Sequence, residues 1–159
     1  MDTRKTRTWA EVSLGALRHN VEEMQRALPD GCGLLGVVKA DAYGHGASEI
    51  AAALRECGCR YLAVACPQEA LALRNAGETM PILILGAVDA AFASDMAAND
   101  ITLSVECAEK GRALSAALRG GERLRIHLKL DTGMGRLGFR VQDETALREA
   151  AAVAQLPNL

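Results

Sequence analysis

Apolar residues in this chain recur at two periods, and the switch between them repeats. Leu14, Leu17, Val21, Met24 and Leu28 keep helical spacing behind Ser13, a residue suited to capping, and Pro29-Asp30-Gly31 ends the run. From there, short apolar runs alternate with amphipathic ones. "LLGVVK" (34–39), "RYLAVA" (60–65), "PILILG" (81–86), "ITLSV" (101–105) and "RLRIHLKL" (123–130) read as strands. The stretches 47–58, 67–77, 89–99, 107–121 and 143–156 read as helices, the second with proline at its start and glycine past its end. Five strand–helix units, spaced about twenty to twenty-five residues apart, imply an α/β fold with parallel strands joined by right-handed crossovers. Two closures fit this pattern: a doubly wound open sheet, or the first part of an eight-stranded barrel of about 250 residues.

Composition narrows the function classes more than the fold. Half of the 159 residues are hydrophobic, 24% are charged, and the formal net charge is −2. Neither nucleic acid nor an anionic membrane is expected as a partner at that charge balance. No apolar run reaches the roughly 18 residues of a membrane span, and "MDTRKTRTWAEV" has no apolar stretch behind its charges, so a cytoplasmic protein is expected. Cys32, Cys57, Cys59, Cys66 and Cys107 form no CxxC pair and read as reduced thiols, and His19 and His45 lack companions at ligand spacing; no metal is expected.

Two stretches, "GCGLLG" (31–36) and "GMGRLG" (133–138), match the dinucleotide pattern GxGxxG, but neither has its context. The first precedes its strand, and the second leads into "FRVQDE" before a helix begins. Both read as turn glycines, which leaves a nicotinamide-dependent oxidoreductase as the weakest reading.

Lys39 carries more information. Parity puts Leu35, Val37 and Lys39 on one face, at the carboxyl end of a strand that should be apolar on both sides. Ligands of α/β folds bind at that end, and a desolvated lysine amine there is suited to Schiff-base formation with a carbonyl. Tyr43 and the glycines around His45 lie where a helix N-terminus could hold a phosphate. The alternative is a lysine that simply reaches solvent. In the fifth strand Arg125, His127, Lys129 and Asp131 share a face and lead into "DTGMGRLG", where Arg136 sits between glycines. Lys129 and Arg136 would repel at short range, so one of them needs a compensating anion or a changed charge state. A water-facing sheet surface would produce the same alternation.

Taken together, "VVKADAYGHG", "HLKLDTGMGRLG" and the opening "TWAEVSLGALRHNV" resemble the alanine racemase family, and the likeness runs through nearly all of the chain. The resemblance implies a partial (β/α)8 barrel that binds pyridoxal 5'-phosphate. Lys39 would carry the cofactor as an internal aldimine and serve as the base on the D face. Tyr43 would bind its phosphate, Arg136 would help place the substrate, and Lys129 would be carbamylated, supplying the anion that Arg136 requires. The activity implied is interconversion of L- and D-alanine for peptidoglycan precursors, by a homodimer in full-length members.

Relative to that family, the last three strand–helix units, the β-rich second domain and the partner-subunit tyrosine base are missing. Residues 1–12 are expected to be a strand segment that pairs with the missing domain, and 13–159 the first part of the barrel. A chain with one of two bases is expected to racemise weakly or not at all. The rival readings are a racemase for serine or several amino acids, and a pyridoxal-phosphate-binding protein without turnover.

Overall fold

The computed structural model describes residues 8–159, so residues 1–7 of the expected first strand lie outside the described residues; residues 8–13 carry no regular secondary structure. Helix α1 (Leu14–Arg26) begins where expected, with Ser13 Oγ accepting a hydrogen bond from the Ala16 amide at 3.1 Å. Strands β1 (Leu35–Val37), β2 (Tyr61–Val64), β3 (Ile82–Ile84), β4 (Ile101–Val105) and β5 (Ile126–Leu128) form one parallel sheet in chain order. The crossovers contain α3 (Ala47–Glu56), α4 (Pro67–Asn75), α5 (Ala93–Ala98) and α6 (Ala108–Ala117), and α7 (Glu144–Val153) follows β5.

Chain-order winding decides the closure. Right-handed crossovers between successive neighbours put every helix on one face, whereas a doubly wound sheet reverses its strand order and is covered on both. Burial agrees: Leu62, Val64, Ile82, Ile84, Leu103 and Val105, on the helix side, are 0% exposed. Each such side chain contributes about 1.5–3 kcal/mol by leaving water. On the opposite face the edge strand leaves Leu35 and Val37 40% and 38% exposed, while Ala63, Leu83, Thr102 and Ser104 of the inner strands are buried. The sheet is the first five-strand arc of a (β/α)8-type barrel, and that second face is the barrel's interior.

Two elements differ from the sequence pattern. Residues 89–99 do not make one helix: Asp89 accepts from the Ala91 amide at 2.8 Å, tightening Ala90–Phe92 into a 3-10 turn before α5. Of the run 123–130 only Ile126–Leu128 joins the five-stranded sheet, and the Leu124 amide is taken by the Asn158 carbonyl at 3.0 Å. Beyond β5, short strands β6 (Leu130–Asp131) and β7 (Phe139–Arg140) pair with each other in parallel, drawing the glycine-rich loop between them. Among the described residues no helix is long and apolar enough to cross a membrane.

At the amino end of the strands, Arg74 donates to the carbonyls of Glu78, Met80, Asn99 and Asp100, tying α4 to the starts of β3 and β4. The ligand-binding end of such folds is the opposite one.

Candidate active site

Between β1 and α3 the chain does something that its sequence does not announce. Segment α2 (Lys39–Gly44) is a left-handed helical turn, with φ of 50°, 53°, 52° and 56° at Ala40, Asp41, Ala42 and Tyr43. Left-handed helical backbone costs an L-residue about 1–2 kcal/mol, and a four-residue run is held only by strong local partners. The Ala42 amide donates to the Val38 carbonyl at 2.9 Å, and Asp41 Oδ1 accepts from the Ala47 amide at 2.7 Å. Glu69 Oε1, from α4, accepts from the Ala40 amide at 2.7 Å. The turn brings Tyr43 back over the residue that starts it, so that Lys39 Nζ lies 5.8 Å from the centroid of the Tyr43 ring.

Val38 is buried at 1% exposure on the helix side. Lys39, the next residue and the first of α2, is half-buried where the strand ends. At the N-terminus of α3 the Asp41 carboxylate takes the first amide. Glu49 lies close as well, its Oε2 2.9 Å from where a Cβ on Gly46 would sit. Two carboxylates beside that terminus weaken its attraction for an anion.

The polar row of β5 faces the barrel's interior. In register, Ser104 pairs with His127 and Val105 with Leu128, which puts His127 and Lys129 opposite the helix-covered side. Lys129 is half-buried, with Nζ at 3.5 Å from the Leu85 carbonyl. In an eight-stranded ring strands one and five stand across from each other, which sets Lys39, at the end of β1, across from Lys129, at the end of β5. Arg136 is exposed in the β6–β7 loop. One groove of about 380 Å³ is lined by Val37, Ala42 and Ile50, and another of about 300 Å³ lies between α3 and α4. Lys39 lines neither.

The loop bearing Arg136 is organised by Asp131, whose Oδ1 accepts from the amides of Gly135 at 2.9 Å and Gly133 at 3.0 Å. Those two hydrogen bonds, first from Gly135 and then from Gly133, hold its carboxyl below the usual range. A depressed folded-state value means that the carboxylate's contribution to loop order is fully present above the unfolded-state value of about 4. It is lost as pH falls through the lower folded value. An acid titration followed by NMR should therefore show Asp131 ionising below an ordinary aspartate, with the Gly133 and Gly135 amide shifts following it. Titration at the ordinary value would contradict this arrangement.

The interior also contains residues that motif reading passed over. The Tyr61 hydroxyl and Thr102 Oγ1 are 2.9 Å apart, and the Tyr61 and His127 rings lie 6.1 Å apart. Strand parity of Tyr61 with Ala63, and of Thr102 with Ser104, was the available signal for this polar band. The five cysteines are free; Cys59 is buried, which pushes its thiol up.

Fold and site together define the class: the first part of a (β/α)8-type barrel with a half-buried amine at the carboxyl end of its first strand. The family model described as "Alanine racemase, N-terminal domain" matches residues 12–159, and the chain belongs to that family. It is 47% identical over 138 residues to an alanine racemase of Geobacillus stearothermophilus, covering 87% of this chain and 36% of that protein. To an alanine racemase of Geobacillus kaustophilus (strain HTA426) it is 42% identical over 157 residues, covering 99% of this chain and 41% of that protein. The solved alanine racemase of Clostridium difficile 630 superposes with a TM-score of 0.91 at 37% identity, covering 97% of this chain and 40% of that one. A histidine racemase from Leuconostoc mesenteroides subsp. sake superposes at 0.80 with 32% identity, over 93% of this chain and 40% of that one. The chain thus spans roughly two fifths of the length of these relatives.

Proposed function

We propose that these residues supply the Lys39 side of a pyridoxal 5'-phosphate-dependent amino-acid racemase acting on alanine. The observation that carries the reading is the half-buried Lys39 side chain at the carboxyl end of β1, with Tyr43 returned over it by a left-handed turn. The donor set suits that cofactor: an amine to take its aldehyde, a phenol for its phosphate, and a guanidinium in the loop after β6. When bound, the cofactor supplies an electron sink for the charge left on the amino acid's α-carbon. Lys39 anchors it and exchanges the α-proton on the D face. The Tyr43 hydroxyl donates to the phosphate. Lys129 becomes an anion by adding carbon dioxide to its amine with loss of a proton, and so steadies Arg136, which orients the substrate.

A second proton donor, on the L face, is not among the residues assigned here. Turnover by the 159 residues alone should accordingly be slow compared with exchange at one face. Residues 13–159 are taken as barrel and 1–12 as a segment that pairs outside it. A cytoplasmic homodimer supplying D-alanine for peptidoglycan is the corresponding whole-protein setting. The likeness to a histidine racemase supports a broader second reading in which the side chain accepted is not alanine's, serine included.

The test is chemical. The purified chain is incubated with pyridoxal phosphate, reduced with borohydride and mapped by peptide mass. Alanine, serine and histidine are then offered in heavy water. Label on Lys39 is expected, with α-deuteration of D-alanine ahead of L-alanine and ahead of the other amino acids. Label distributed over surface lysines would refute the cofactor reading. Label on Lys39 without α-deuteration would leave a binding protein that does not turn over.

A further inference from the structure

The first turn of α4 contains a carboxylate whose two oxygens serve different strand–helix units. Glu69 is the third residue of that helix, after the capping position Cys66 and Pro67. A glutamate at that position ordinarily folds back onto the amide of its own cap residue. Here Oε2 accepts from the Ala65 amide at 2.7 Å, while Oε1 reaches across to the Ala40 amide, 29 residues earlier, also at 2.7 Å. Ala40 is the residue directly after Lys39 and the first of the four left-handed residues. Ala65 gives the clamp a fixed end: a Cβ on Gly86, just past β3, would collide with its carbonyl oxygen.

From this geometry we infer that Glu69 is a positioning residue for Lys39. It pins the peptide that leaves Lys39 to the turn after β2, and so sets the direction in which the lysine side chain departs from the strand. Asp41 secures the far end of the same turn through the Ala47 amide, so the backbone around the amine is held from both sides. Both bonds have an ionised acceptor, the stronger kind. A helix cap alone needs only the Ala65 bond; the Ala40 bond adds nothing to α4 and acts on the lysine turn alone. The inference rests on the cofactor reading for its consequence, but not for its geometry.

Two measurements separate these on the 159-residue chain. The first is amide hydrogen exchange at Ala40; the second is the pyridoxal phosphate concentration that gives half-maximal borohydride labelling of Lys39. Glu69→Ala should exchange the Ala40 amide about tenfold faster and need about tenfold more pyridoxal phosphate, the effect of losing one charge-assisted bond. Glu69→Gln, which keeps one carbonyl oxygen, should fall between and serves if the alanine variant does not fold. Gly111→Ala is the control: its Cβ would lie 2.6 Å from Val153 Cγ1, destabilising the α6–α7 contact far from this turn. It should leave both readouts unchanged. Wild-type protection of Ala40 in both Glu69 variants, or an equal shift in Gly111→Ala, would overturn the assignment. If the wild type is not labelled at Lys39, the cofactor reading falls, and the Ala40 exchange by itself still decides the clamp.

Discussion

Lys39→Arg is expected to abolish borohydride-stable attachment of pyridoxal phosphate while leaving the fold intact. Arginine keeps the positive charge over the Tyr43 ring, now 5.8 Å from Lys39 Nζ, and keeps a long apolar stem in the half-buried site. A guanidinium stays protonated at any pH the protein survives, so it has no free lone pair to attack an aldehyde. The loss should be complete, because no second amine takes over the first-strand position: Lys129 stands on the opposite wall of the arc. Circular dichroism and urea unfolding should match the wild type to within about 0.5 kcal/mol, as for a partly exposed replacement of similar size. Undiminished labelling of Lys39→Arg at another single lysine would place the chemistry elsewhere.

Gly138→Ala should be the most damaging single methyl addition in the molecule's mouth. Gly138 has a φ of +131°, and a Cβ there would lie 2.7 Å from both the Asp131 nitrogen and the Lys129 oxygen. These are backbone atoms of β6 and of the residue before it, so no side chain can swing away. The conformation is essentially restricted to glycine, at a cost of about 1–3 kcal/mol for other residues, and the overlap adds about 1–3 kcal/mol more. A total near 3 kcal/mol or above should appear as a lowered urea midpoint with the slope unchanged. The Phe139 amide, bonded to the Lys129 carbonyl at 2.8 Å, should lose exchange protection first. A variant as stable as the wild type, with that amide protected, would mean that the loop is not built on this contact.

Much of the architecture was legible along the chain because it is local. Ser13, Pro67 and the alternation of apolar runs each declare an element within a few residues, and α1, β4 and α4 fall close to where their patterns put them. The elements that drifted involve bonds made at a distance: the Leu124 amide, ahead of β5, bonds to Asn158, 34 positions on. Lys39 was conspicuous as a charge ending an apolar strand, and Arg136 as a cation among glycines. The left-handed turn was not legible, since alanine, aspartate and tyrosine all disfavour it in isolation. Its partner Glu69 read as an ordinary residue of a helix start.

By itself the sequence determined the element order, the parallel class of the sheet, the two basic motifs and, through their likeness to a known family, the chemistry to expect. Only the tertiary structure decided that all helices lie on one side, that the turn after Lys39 is left-handed and tied to Glu69, and that Asp41 takes the first amide of α3. The division has a physical reason. Periodicity and capping are set by neighbours along the chain. Which face is interior, and which strained backbone survives, depends on hydrogen bonds and burial between segments tens of residues apart.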